Sequence, residues 1–370
     1  QMQHPFYKRF ASSFVLAVFL LQTAGNAYAS KDLTEVRQMA EQGNADAQFR
    51  LGVRYEIGDG VARDDKLAVT WYRKASEQGY VYAQVFLASS YETGTGVAQD
   101  YEQAVAWYRK AAEQGDATAQ FNLGNSYYSG LGVAQDYEQA VVWFRKAAEQ
   151  GYAEAQIYLG ASYAKGEGVA QDAQQALAWY RKAAEQGYAT AQYNLGVSYA
   201  NGEGVAQDAK QAVAWFRKAA EQGLPEAQYS LGISYDQGFG VAQNDQQVVI
   251  WFRKAAEQGH ADAQSDLGVH YAKGEGVTKD DKQAVIWHRK AAEQGNARAQ
   301  SNLGIMYLGG QGVPQDNSHA YVWLSVAVAN GNTRATEPRD FAAKKLTKPK
   351  LEAAQKLAGE YFEKYQPVNQ

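Results

Sequence analysis

The chain has 370 residues, 46% of them hydrophobic and 21% charged, which excludes both a low-hydrophobicity disordered polymer and a membrane bundle. There is no cysteine, so disulfide frameworks, thiolate zinc sites and cysteine nucleophiles are excluded together. The formal net charge of −4, with both signs interspersed, lacks the basic stripe that a phosphate backbone demands, so nucleic acid is not an expected partner.

In chain order the first element is a targeting signal. Lys8 and Arg9 precede an apolar run from Phe10 to Leu21, and the polar stretch after it ends Asn26-Ala27-Tyr28-Ala29. These are the charged, apolar and small-residue parts of an export signal, so residues 1–29 are expected to be removed near Ala29, leaving Ser30 first. The apolar run, about 12 residues, is short of the roughly 20 that span a bilayer. A periplasmic or secreted protein is therefore expected. Residues 30–43 then read as an N-terminal capping helix.

From residue 44 the chain repeats. Trp71, Trp107, Trp143, Trp179, Trp215, Trp251, Trp287 and Trp323 are spaced by 36 residues throughout. The sequence aligns on itself as eight ungapped units, 44–79, 80–115, 116–151, 152–187, 188–223, 224–259, 260–295 and 296–331. A period of this length marks a solenoid, in which a unit buries its apolar face only against its neighbours.

The third unit shows why each predicts two helices. Asp116 caps a first helix on which Ala119, Leu123 and Tyr127 recur at four-residue spacing, and Gly124 beside Leu123 admits a close neighbour. Gly130-Leu131-Gly132-Val133 stops it, since glycine accepts the positive φ that ends a helix. Asp136 caps a second helix with Gln139 three residues on, Ala140, Trp143, Phe144 and Ala147 form its apolar stripe, and Gly151 ends it. Departures elsewhere are mild: Ala88 stands for the helix glycine, Asn244 for the second-helix cap and Val248 for an alanine. Residues 332–370, with Phe341, Leu346, Leu351, Leu357, Tyr361 and Phe362 among lysines, predict one or two amphipathic helices forming a C-terminal cap.

The pattern A-x-A-Q-x-x-L-G-x-x-Y-x-x-G-x-G-V-x-x-D-x-x-x-A-x-x-W-(Y/F)-R-K-A-A-E-Q-G resembles the Sel1-like repeat, a relative of the tetratricopeptide repeat. The resemblance implies an all-α fold, a right-handed α-α superhelix of paired antiparallel helices, and a bacterial adaptor or scaffold that binds a protein or peptide along a concave groove without catalysis or cofactor. Other branches of the family bring two alternatives, a cell-wall-related or β-lactamase-like enzyme and a secreted effector binding host proteins. In tetratricopeptide-like units the first helix lines the groove, which maps here to Asp46, Phe49, Val53, Glu56 and Ile57 and their 36-residue copies. The Phe49 position continues as Val85, Phe121, Ile157, Tyr193 and Tyr229, then Ser265 and Ser301, an apolar groove with a polar end. With Tyr82, Asn125 and Tyr128 these are the candidate partner-binding residues, Tyr82 and Tyr128 pairing a ring with a hydrogen-bonding tip. Apolar residues at helical spacing are equally what a core requires, so both readings stand.

Four other signals are set aside as sites. The recurrent Arg73-Lys74 pair is expected to be a solvated face, ion-paired with Glu77-type residues four positions after each arginine. Gly58-Asp59-Gly60 follows a helix rather than a strand, so it is a turn and not a phosphate loop. Ser162-Tyr163-Ala164-Lys165 satisfies S-x-x-K but has no K-T-G or S-D-N companion. His260, His270, His288 and His319 cluster late in the chain without metal-ligand spacing, and His288 occupies an aromatic packing position, so no metal is expected.

Overall fold

A computed structural model describes residues 33–367. The export signal expected at residues 1–29 lies outside the described residues. The described chain is entirely helical apart from turns and short connections. It begins with α1 (Leu33–Glu41). First helices of the eight repeats are α2 (Ala45–Ile57), α4 (Val81–Thr93), α6 (Ala117–Ser129), α8 (Ala153–Lys165), α10 (Ala189–Asn201), α12 (Pro225–Gln237), α14 (Ala261–Lys273) and α16 (Ala297–Gly309). Second helices are α3 (Asp65–Glu77), α5 (Tyr101–Glu113), α7 (Tyr137–Glu149), α9 (Ala173–Glu185), α11 (Ala209–Glu221), α13 (Asp245–Glu257), α15 (Asp281–Ala292) and α17 (Asn317–Ala329). A 3₁₀ turn, α18 (Thr336–Lys344) and α19 (Lys348–Lys364) follow. The chain forms two compact units, one within residues 33–186 and one within residues 187–367. In each, every first helix packs on its own second helix, and consecutive repeats pack in series as an α-solenoid.

The capping chemistry read from the sequence is what starts and stops these helices. Asp116 Oδ1 accepts from Ala119 N at 2.8 Å, Asp136 Oδ1 from Gln139 N at 3.0 Å, and Asn244 Oδ1 from Gln247 N at 3.0 Å. First helices end on a left-handed glycine, such as Gly130 at φ 74°. The second glycine has a further reason in six of the loops, at Gly96, Gly132, Gly168, Gly240, Gly276 and Gly312: a Cβ on Gly132, for instance, would collide with the carbonyl of Tyr101, at the start of the preceding second helix. Close approach of one repeat's loop to the previous repeat's helix therefore needs glycine for space as well as for φ.

Two kinds of contact hold the stack. Leu51-type leucines are completely buried, and tryptophans pack across the repeat boundary, as Trp143 does among Ala111, Ala112 and Leu123. The second contact is polar. Buried Gln120 Nε2 donates to the Ala112 carbonyl at 3.2 Å, at the C-terminus of the preceding helix, while its Oε1 accepts from Gln150 Nε2 at 2.7 Å. Gln150 Nε2 also reaches the Gly115 carbonyl at 2.9 Å. Gln228 repeats the arrangement with Ala220, Gln258 and Gly223 in the other unit. A buried glutamine is stable only when its groups are paired, and here it adds a second donor to a helix-end carbonyl that also accepts from the following glycine N, Gly115 or Gly223.

The expected ion-paired face of Arg73 and Lys74 is corrected. Arg73 Nη2 donates to Tyr91 Oη at 2.8 Å in the next repeat, and Arg109, Arg145, Arg253 and Arg289 each do the same 18 residues on. Lys74 Nζ lies over the Trp71 ring at 4.1 Å, and a lysine covers the tryptophan in each of the first seven repeats. Both cations thus turn to aromatic partners near the repeat boundary, where ring faces and a phenol oxygen are fixed by packing, whereas the glutamates remain exposed. At the C-terminus α18 and α19 form as expected and pack through buried Ala342, Ala354 and Ala358 together with half-buried Leu346, Leu357 and Tyr361, while Phe341 is 51% exposed.

Candidate partner-binding face

The first helices present different chemistry in the two units. In residues 33–186 the Phe49 position is largely covered: Phe49, Val85 and Phe121 are buried, and Ile157 is half-buried. Phe49 sits within 5.2–6.2 Å of the rings of Tyr72, Tyr80, Tyr82 and Phe86, and Phe121 similarly meets Phe144, Tyr152 and Tyr158. Coverage comes from the next repeat, whose residue at the Arg50 position is Phe86 in one case and Tyr158 in the other. Of the two readings left open for this stripe, the packed one holds at Phe49, Val85 and Phe121, which form the floor of the face and do not stand free on it. The outer layer is Tyr82, 44% exposed, with half-buried Asn125 and Tyr128. Tyr128 stacks edge-on to Tyr137 at 5.1 Å and donates to Glu167 Oε2 at 2.9 Å.

Two glutamates at the expected lining positions are tied into this face by tyrosines. Tyr72 Oη donates to Glu56 Oε2 at 2.5 Å, and Tyr108 Oη to Glu92 Oε2 at 2.7 Å. Burial pushes both carboxyls above the usual carboxylate range, against the opposing effect of the tyrosine hydrogen bond. The signal for them was the pairing of Glu56 with an aromatic at the Tyr72 position, repeated once 36 residues on.

In residues 187–367 the same helices are more polar. Tyr193 is half-buried, 5.8 Å from Phe216 and hydrogen-bonded with Ser230. Tyr229, also half-buried, stacks on Phe252 at 5.4 Å and on His260 at 4.6 Å, and its hydroxyl donates to Asp266 Oδ2 at 2.9 Å. Asp266 also holds Arg298 at 2.7 Å, and Asp262 accepts from Asn296 at 2.8 Å. Ser265 and Ser301, expected as a polar end of the groove, are buried instead, and Ser265 Oγ lacks a hydrogen-bond partner. A side chain as short as serine at this position stays beneath the helix surface. His288 replaces the Tyr72-type ring, its Nδ1 is unpaired, and burial pushes its pKa down to about 4. Ser162 is buried, and Lys165 faces Glu167 at 3.9 Å. Among the described residues no helix is long and apolar enough to cross a membrane.

Comparison with known proteins gives a consistent result. The Sel1 repeat family matches residues 45–80, 81–116, 117–152, 153–188, 189–224, 225–260, 261–296 and 297–332. The chain is similar to the crystal structure of a Sel1 repeat protein from Oxalobacter formigenes, with 37% identity, 87% of this chain and 92% of that chain covered, and a TM-score of 0.65. It is also similar to c5321, a protective antigen of uropathogenic Escherichia coli with an SLR fold, at 35% identity over 92% of this chain and 96% of that one, with a TM-score of 0.43. No curated protein matches the chain. Eight matched repeats filling most of the sequence, on the helical pairs and caps described above, make this protein a member of the Sel1 repeat family.

Proposed function

We propose that the protein is an exported, non-enzymatic scaffold that binds a partner protein or peptide on its first-helix faces. The observation that carries this reading is the layering of the face in residues 33–186. Buried Phe49, Val85 and Phe121 hold a rigid floor, and Tyr82, Asn125 and Tyr128 stand above it with accessible rings and polar tips. Packed aromatics that are held in place and still reachable lose little entropy on binding, which is how interface anchors act. Ile157 in this unit, and Tyr193 and Tyr229 in the other, extend the proposal as half-buried members of the same position. The S-x-x-K reading loses support because Ser162 lies inside the packed repeat.

A photoreactive residue at Tyr82 or Tyr193, introduced in living cells, should crosslink a discrete partner, and the crosslink should disappear when Tyr128→Ser or Tyr229→Ser is added. Absence of any crosslink from these positions, with capture from the lysine-covered second-helix face, would overturn the assignment. Export predicts a mature chain beginning at Ser30, read by mass spectrometry of the periplasmic fraction or the medium.

A further inference from the structure

The eighth repeat departs from the other seven at two positions on the second helix beside which the chain's own end docks. Lysine covers the tryptophan in repeats one to seven, but Val326 stands there in repeat eight. A glutamine at the end of the second helix reaches back to a glycine carbonyl in other repeats, as Gln258 does to Gly223 at 3.0 Å, but the shorter Asn330 stands there in repeat eight. Both changes uncover surface around Trp323, and the chain's own end fills it. The Tyr365 ring stacks on Trp323 at 5.5 Å and 28°, and Tyr361 meets the same indole at 5.1 Å and 63°. Asn330 Nδ2 and Gln300 Nε2 both donate to the Tyr365 carbonyl at 3.3 Å. A Cβ on Gly295 would collide with Gln366 and Pro367, while Gly223 and Gly259 have open space at the same place in their own repeats.

We infer that this edge of repeat eight is a recognition slot for a helix-terminating peptide segment carrying two aromatic side chains one helical turn apart and a following proline. Residues 361–367 are its resident ligand, and the slot accepts the same segment from a second copy of this chain once the tail is withdrawn. Each element of the slot recognises a different part of the segment. The Trp323 face selects a ring, two side-chain amides converge on one backbone carbonyl, and the side-chain-free Gly295 lets backbone lie flat. Val326 and Asn330 are the substitutions that make room, so the slot is specific to this repeat. Tyr361 and Tyr365 are only half-buried in it and Gln366 and Pro367 are exposed, so the tail is seated at the surface rather than in the core. This inference is independent of the first-helix face.

The test uses the full chain and a fluorescent peptide of residues 357–370. The peptide should bind the Tyr361→Ala/Tyr365→Ala chain at least roughly tenfold more tightly than the unsubstituted chain, because a tethered tail competes at an effective concentration near millimolar. A peptide carrying its own Tyr365→Ala should lose that binding. Equal affinity for both chains, no binding to either, or an unaffected alanine peptide would overturn the slot. Val326→Lys restores the lysine of the other repeats and tests the slot separately, should the double variant lose helix. It should expel the tail, read as faster amide hydrogen exchange at residues 361–367 with an unchanged melt of the repeats. A tail that stays protected in Val326→Lys refutes the inference.

Discussion

Residues 33–186 and residues 187–367 are built on one backbone plan and differ in what their first helices carry. In the former, Phe49 and Phe121 sit beneath Phe86 and Tyr158, giving a dry aromatic floor. In the latter, Tyr229 leans on His260 and Asp266, Ser265 replaces the aromatic, and His288 stands in the core. The backbone tolerates this exchange because the residues that join repeats, the leucines, tryptophans and paired glutamines, are the same in both. Stacking and surface chemistry are thus carried by separate sets of positions, and a repeat can change its face without changing its neighbours.

Substitutions in the shared set should cost the same in both units. Trp143→Ala and Trp251→Ala should each destabilise their unit by about 3–5 kcal/mol, the usual cost of emptying a buried aromatic site. Thermal or urea unfolding measures it, and a clear inequality would break the comparison. His288 should set the units apart by pH. Its unfolded imidazole binds protons near pH 6.5 and the folded one only near 4, so stability is full above pH 6.5 and falls as pH drops toward 4, by about 3 kcal/mol. His288→Phe should abolish that loss, and an unchanged pH profile of unfolding in the variant would show that other groups cause it. Gln120→Leu and Gln228→Leu should each cost about 1 kcal/mol, because a helix-end carbonyl loses one of its donors and the Gln150 or Gln258 amide one of its acceptors. The smallest effect belongs to the face itself: Tyr82→Ser should leave the melt within about 0.5 kcal/mol while weakening partner capture. A large loss of stability there would make Tyr82 part of the floor.

Most of the fold was legible because a repeat states its own boundaries eight times. Trp positions fixed the period, Asp116 and Asp136 fixed helix starts, and the loop glycines fixed the stops. What the sequence concealed lies between repeats. Helical spacing pairs Arg73 with Glu77 on its own helix, but its partner is Tyr91 in the next repeat, which that spacing does not bring to mind. Phe49 has the pattern of a groove residue, and only the placement of Phe86, one repeat later, shows it covered. Glu56 and Glu92 read from the sequence as lining residues, but their burial stays hidden until the tyrosine facing each is placed. The C-terminal helices pack partly through the large side chains expected, Leu346, Leu357 and Tyr361, but alanines supply their fully buried contacts and Phe341 is left outside.

The glutamine pairs also bear on how such a chain can lengthen. Each donor in them finds its acceptor at a fixed offset along the chain, so removing or duplicating one whole 36-residue block leaves every amide with an equivalent mate at the new seam. Cutting at any other length would strand a donor inside the helical stack. Growth or shortening of such a protein is therefore quantised, and its length can be tuned in whole steps without redesigning the joints.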